Sequence, residues 1–150
     1  MTRSSWSRRA LIRALTGALI VGSVGCGSSN REQLESEREA WEAVRPSRYR
    51  FDYTVTGVAP GTGPWRIEVS GQQVVSVNWV GAGVAPTPGL SAENAPTIEK
   101  LFERVARSFD ASSVEVAVRY DSQWHHPTDA YFDAGEEGDG FEATDLTQVN

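Results

Sequence analysis

The stretch "SRYRFDYTVTG", residues 47–57, decides the fold class of this chain. Its large apolar residues recur at every second position and so share one side of an extended strand; they are Tyr49, Phe51, Tyr53 and Val55. Arginine, aspartate and threonine occupy the positions between them. Strict alternation of this kind indicates an antiparallel strand with one buried face and one polar face.

The same period of two returns in five further segments. "PWRIEVSG" (64–71) and "QQVVSVNWV" (72–80) predict two strands joined by a tight hairpin at Ser70-Gly71. The inward residues of these two strands are predicted to be Trp65, Ile67 and Val69, then Val75, Val77 and Trp79. Three more strands are predicted in "SSVEVAVRYD" (112–121), "PTDAYFD" (127–133) and "GFEATDLTQV" (140–149).

Two segments have a helical period instead. "TIEKLFERVARSFD" (97–110) has an apolar face, with Thr97 as its N-cap and Glu99 in its first turn; the face consists of Ile98, Leu101, Phe102, Val105 and Phe109. "REQLESEREAWEAVRP" (31–46) is strongly charged and ends at Pro46; its narrow apolar stripe is Leu34, Trp41 and Val44. A loop is predicted at residues 81–96, which are rich in proline and glycine.

These segments predict one α+β domain over residues 31–150. Its antiparallel β-sheet has about five to six strands in the order α-βββ-α-βββ, with the N-terminal helix and the main amphipathic helix packed on one face.

The N-terminal 25 residues are predicted to be a signal peptide. Arginines without acidic residues precede a short apolar run, which is too short to cross a bilayer comfortably. Ser23-Val24-Gly25-Cys26 resembles the bacterial lipobox, so Cys26, the single cysteine, is predicted to carry the lipid, with residues 26–30 as a flexible tether. "SRRALIR" (7–13) resembles the twin-arginine export motif, although the general secretory route also fits.

Charge limits the partners of the exported part. The first 25 residues hold four of the 14 basic residues and no acidic one, so residues 26–150 carry ten basic and 20 acidic side chains. An acidic surface repels phosphate backbones, which argues against nucleic acid as a partner. We expect a monomer that contacts the membrane through its lipid and binds an unknown protein or small molecule.

Several motifs, taken in order, resemble those of an uncharacterised lipoprotein-type family, DUF6174. The resemblance covers roughly residues 38–149 and is carried by "YRFDYTV", "SGQQVVSV", "APTIEKLFERV", "VEVAVRYD" and "HPTDAYFD". It implies an envelope location and a fold class, but no reaction. This chain departs from the family pattern in two places: "TGVAPGTGP" (56–64) lacks paired cysteines, and His125-His126-Pro127 stands where relatives have Gly-Tyr-Pro.

The two histidines were considered as metal ligands. His125 and His126 lie near Asp121 and Asp129, and imidazole with carboxylate suits zinc or copper. Neighbouring residues that lead into a strand point apart, however. A polar turn fixed by Pro127 is therefore the favoured interpretation.

An acidic segment, "DAGEEGDGFEAT" (133–144), was compared with a calcium loop. Asp133, Glu137 and Gly138 fit positions 1, 5 and 6 of an EF-hand, whereas Gly135 and Thr144 do not fit positions 3 and 12. A solvated acidic turn is predicted. No cofactor and no metal site are expected.

A catalytic role has little support in the sequence. There is no GxSxG motif, and the pair Asp129 and Asp133 fits the outward face of a strand. Trp124 is either an exposed contact for a partner or a packing residue of its loop. We expect a non-catalytic binding or structural module, lipid-anchored at the cell membrane or outer membrane. An envelope hydrolase with an unrecognised site is the alternative.

Overall fold

Two helices and six strands follow one another in the computed structural model, which describes residues 26–57, 62–111, 114–135 and 138–150. The helices are α1 (Cys26–Val44) and α2 (Ile98–Asp110). The strands are β1 (Arg48–Gly57), β2 (Thr62–Ser70), β3 (Gln73–Trp79), β4 (Glu115–Tyr120), β5 (Pro127–Asp133) and β6 (Gly138–Gln148). The predicted α+β class and the order α-βββ-α-βββ are confirmed.

All six strands form one antiparallel sheet in the order β3-β2-β1-β6-β5-β4. Each half of the chain makes a three-strand meander, and the first and last strands pair at the centre. The predicted hairpin closes between Ser70 and Gln73, and Gly71 takes the left-handed φ of 64° that such a turn requires.

The core lies between the sheet and the two helices. The alternation in β1 buries Tyr49, Phe51 and Tyr53, and both Phe132 and Phe141 are buried on β5 and β6. The apolar face of α2 is buried as predicted, apart from the half-buried Phe109 at its end; its buried residues are Ile98, Leu101, Phe102 and Val105. Thr97 caps α2, since its side chain accepts a hydrogen bond from the backbone N–H of Lys100.

Helix α1 runs antiparallel to α2. Arg31 bonds Asp110 at 2.7 Å, which joins the start of α1 to the end of α2, and Arg45 bonds Glu99 at 2.9 Å beside the opposite ends. Leu34 and Trp41 are buried as predicted. Val44, predicted to join them, is instead 43 % exposed because it is the last residue of the helix.

Residues 26–30, predicted to be a flexible tether, are helical in the structure. These residues form the beginning of α1. Extending an existing helix costs less than starting one, so the charged segment that follows can carry helical structure back to Cys26.

The side-chain pattern predicted for β3 also needs a correction. Val75 was expected inside, but it is 51 % exposed. Val69 pairs with Val74 and Glu68 pairs with Ser76, so Val75 is an extra residue, a β-bulge. The bulge moves the inward set to Val74, Val77 and Trp79, which sequence alternation alone does not reveal.

No helix of the described ranges packs on the second face of the sheet, which carries cross-strand ion pairs. Arg66 binds both carboxylate oxygens of Asp52, at 2.8 and 2.9 Å, and Arg48 pairs with Glu68. No helix of the described residues is long and apolar enough to span a membrane.

Candidate functional site

The turn between β4 and β5 is organised by Asp121. Its Oδ1 accepts hydrogen bonds from the backbone N–H groups of Gln123 and Trp124, at 2.8 and 2.6 Å. Desolvation would raise the pKa of Asp121, but these two hydrogen bonds outweigh it and lower the pKa. Asp121 is therefore ionised at neutral pH, and its Oδ2 accepts no hydrogen bond from the described residues.

The two histidines of this turn face different partners. His125 takes a left-handed φ of 61°, and its Nδ1 lies 2.9 Å from Glu37 Oε2 on α1. His126 is only 2 % exposed, and its Nε2 lies 3.3 Å from the carbonyl oxygen of Ala143 on β6. The two imidazoles thus contact different elements of the fold, α1 and β6.

His126 is a neutral imidazole, and only one of its two ring nitrogens has a hydrogen-bond partner among the described residues. Burial lowers its pKa, which keeps the ring uncharged at pH 7. Because a carbonyl oxygen only accepts, the ring proton must be on Nε2, and Nδ1 has a free lone pair. That Nδ1 is buried and has no hydrogen-bond partner within the described ranges. Trp65 Nε1 and the Tyr120 hydroxyl are likewise buried without a partner among the described residues, and such an atom can be satisfied by a bound water or a ligand.

His126 lines a cleft of about 350 Å³ between the β4–β5 turn and the end of β6. The cleft, named here the His126 cleft, is also lined by Asp121, Gln123, Trp124, Thr128 and residues 143–146. The pairing of β6 with β1 shifts between Arg50 and Asp52, and Asp145 has a φ of 55° at this irregularity. Left-handed φ values at residues other than glycine often mark functional sites. His125 and Asp145, the two described cases, lie in or beside this cleft.

The cleft is acidic. Neither Asp121 nor Asp145 forms a salt bridge with a described residue. The described ranges contain no group of three or more His, Cys, Asp or Glu residues placed to hold a metal ion. The side chains of the cleft are thus arranged around a space larger than a single ion.

The family model described as "Family of unknown function (DUF6174)" matches residues 33–140. The chain belongs to the DUF6174 family. The matched range contains α2, the β4–β5 turn with both histidines, and the first part of β6. Neither the curated proteins nor the solved structures include a significant match.

Asp129 and Asp133 of this DUF6174 protein do not line the cleft. Cys26 is the first residue of α1. Asp129 bonds Arg119 at 3.2 Å on the helix-free face of the sheet, and Asp133 accepts a hydrogen bond from the backbone N–H of Gly135. The segment compared with a calcium loop is divided between β5, a turn and β6, and its Glu137 lies outside the described residues.

Trp124 and the 81–96 loop have separate environments. Trp124 is half-buried, packs against the core and lines the His126 cleft. The loop at 81–96 packs beside β3, at the opposite edge of the sheet from β4: the Trp79 Nε1 group donates to the carbonyl of Gly83 at 3.2 Å. None of its residues lines the His126 cleft.

Sequence reasoning missed the contribution of β6 to the cleft. Asp145 was not considered, because β6 was interpreted as a simple alternating strand. The apolar residues Phe141 and Ala143 are two positions apart, as in a regular strand. The next apolar residue, Leu146, follows three positions after Ala143 instead of two. That extra position was the available signal for a bulge.

A second cavity, of about 390 Å³, lies between the helices. It is lined by the Glu99 carboxylate, whose oxygens already accept hydrogen bonds from neighbouring side chains. Glu99 accepts hydrogen bonds from Trp41 Nε1 at 3.2 Å, Arg45 at 2.9 Å and the Tyr49 hydroxyl at 3.2 Å. Desolvation would raise the pKa of Glu99, yet its hydrogen bonds outweigh that effect and lower the pKa. The polar groups here satisfy one another, so this network is structural.

Proposed function

We propose that this DUF6174 protein is exported, anchored by a lipid on Cys26, and acts at the cell envelope as a non-catalytic binding module that uses the His126 cleft. The single observation that carries the binding role is His126, a buried neutral imidazole with an unpartnered Nδ1 in an acidic cleft. Unmet hydrogen-bonding capacity beside a concave surface is typical of a ligand site.

The position of Cys26 is compatible with a cleft held away from the membrane. The cleft lies beside the second half of α1, where Glu37 contacts His125 and Trp41 packs 6.3 Å from His126. Eleven residues separate Cys26 from Glu37, or about 16 Å along the axis of an α-helix. A lipid on Cys26 would thus attach near one end of the domain and leave the cleft accessible.

The alternative of an envelope hydrolase needs a nucleophile beside a base. Thr128 is a hydroxyl residue of the cleft, but its Oγ1 donates to the carbonyl of Arg119 at 3.3 Å instead of contacting His126. His126 Nε2 is likewise directed to a backbone carbonyl. This arrangement favours binding over hydrolysis.

Anchoring is tested by the substitution Cys26→Ser in the full chain. We expect the wild-type protein to incorporate labelled palmitate and to sediment with membranes, whereas Cys26→Ser does neither. Ser28→Ala is the matched control, because it alters the same segment and keeps the cysteine. Equal membrane retention of the wild type and Cys26→Ser would contradict the lipid anchor.

Binding is tested with a fragment set of mixed charge, followed by NMR of the full-length ¹⁵N-labelled protein in detergent micelles. We expect the amide shifts changed by fragments to cluster at residues 121–128 and 143–146. Clustering in the cavity around Glu99, or no specific binding at all, would refute the His126 cleft as the binding site.

A further inference from the structure

We infer that the ligand of the His126 cleft is an organic cation, specifically an alkylammonium group carried by a small amine or by a lysine side chain. This inference rests on the binding role proposed above and specifies its ligand class. The cleft combines two unpaired carboxylates, a buried lone pair and an aromatic side chain.

The cleft is lined by residues with free hydrogen-bond acceptors, whereas an ammonium group offers only donors. An alkylammonium has three N–H donors and no acceptor. Asp121 Oδ2 and the carboxylate of Asp145 are acceptors without a described hydrogen-bond partner, and His126 Nδ1 is a third acceptor on the buried side. An anion would meet two like charges here, and a neutral alcohol offers only one donor.

The side chain of Trp124 and the lack of a metal-holding cluster among the described residues favour an organic cation over a bare metal ion. Trp124 lines the cleft, and the face of an indole attracts cations and packs against alkyl chains. The described residues provide no cluster able to hold a metal, although the cleft measures about 350 Å³. A cation with an alkyl chain can use the indole and the carboxylates together.

The described arginines on the strands beside the cleft have other hydrogen-bond partners, and Arg50 on β1 donates to the hydroxyl of Thr147. Arg66, which lies within electrostatic range of Asp145, binds both carboxylate oxygens of Asp52. Arg119 pairs with Asp129, and His125 contacts Glu37. The negative charge of Asp121 and Asp145 therefore has no bound counter-charge among the described residues.

The test compares three probes of equal length on the full-length protein, by NMR titration at pH 7. The probes are pentylammonium, 1-pentanol and pentanoate. We expect pentylammonium to shift the amides of 121–128 and 143–146 and the indole N–H of Trp124, and to bind at least about tenfold more tightly than the other two, since hydrogen bonds to charged groups are the strong ones.

Two variants and one control test which carboxylates bind the cation. Asp145→Asn keeps a residue that tolerates a left-handed φ, and Asp121→Asn keeps the Oδ1 acceptor of the turn, so both should fold. Each should weaken pentylammonium binding by about fivefold to tenfold. Glu142→Gln removes an equal charge from the same strand as Asp145 but outside the cleft, and should change binding by less than about twofold.

Further arms identify the source of the cation. Tighter binding of a blocked lysine peptide than of pentylammonium would assign a protein side chain as the ligand. The reverse order would assign a free amine, and both results support the inference.

Equal or tighter binding of pentanol or pentanoate in the cleft would overturn the inference that the ligand is a cation, while leaving the proposed binding module intact. Equal losses in Asp145→Asn and Glu142→Gln would also overturn it. If no probe or fragment perturbs the cleft, the proposed binding site itself fails.

Discussion

Replacing Glu99 by alanine is the sharpest test of how the two helices are joined to the sheet. The Glu99 carboxylate accepts hydrogen bonds from Trp41, Arg45 and Tyr49, which belong to α1, to the segment after it and to β1. One side chain in the first turn of α2 thus links three parts of the chain. Its removal should destabilise the whole domain.

The size of the effect follows from the burial of the donors. The side chains of Trp41 and Tyr49 have no exposed surface, so neither donor can turn to water when Glu99 is removed. Each buried donor left unsatisfied costs about 1–3 kcal/mol. The partly exposed pair with Arg45 adds at most about 1 kcal/mol. We therefore expect Glu99→Ala to lower the free energy of unfolding by about 2–7 kcal/mol.

The assay is urea unfolding at pH 7, followed by tryptophan fluorescence and circular dichroism. Glu103→Ala is the matched control, because Glu103 lies one turn later on the same helix and is exposed; its effect should stay within about 0.5 kcal/mol. A loss below about 1 kcal/mol for Glu99→Ala would refute the proposed role of Glu99. It would mean that water reaches the side-chain donors of Trp41 and Tyr49 once Glu99 is removed.

The pH dependence of Glu99 provides an independent check. Its pKa in the folded state lies below the ordinary value of 4.5, so the unfolded chain takes up the proton first as the pH falls. The stabilisation by ionised Glu99 is complete above that ordinary value and disappears as the pH falls through the folded pKa. The difference in unfolding free energy between the wild type and Glu99→Gln should shrink accordingly. A difference that is constant with pH would contradict the role of the charge.

Two further predictions concern the core and the cleft. Phe102 is 1 % exposed and stacks on Tyr120 at 6.2 Å, so Phe102→Ala should cost about 3–5 kcal/mol in urea unfolding; a cost below about 1 kcal/mol would show that α2 is not part of the core. Burial lowers the pKa of His126 below 6.5, so the unfolded state binds the proton first and stability should fall as the pH drops below about 6.5. His126→Gln should reduce this fall whereas the control His125→Gln keeps it, and identical curves for the wild type and His126→Gln would contradict it.

The β6 end of the cleft shows why the site was harder to predict than the fold. The histidine turn and Trp124 were recognised from local sequence. Asp145 was not, because it reaches the cleft only through the irregular pairing of β6 with β1. That pairing joins residues about 90 positions apart, and no local pattern specifies which strand lies beside β6.

The sequence by itself determined the elements whose signals are local. The alternation of Tyr49, Phe51 and Tyr53 specified a strand and its buried face, and the spacing of Ile98, Leu101 and Phe102 specified the helix that covers it. These signals depend only on the geometry of a strand or a helix. The tertiary structure alone decided the central β1–β6 pairing, the exposure of Val75, the helical start at Cys26 and the burial of His126. Each of these depends on which distant residue lies opposite, and long-range packing rather than local propensity sets that arrangement.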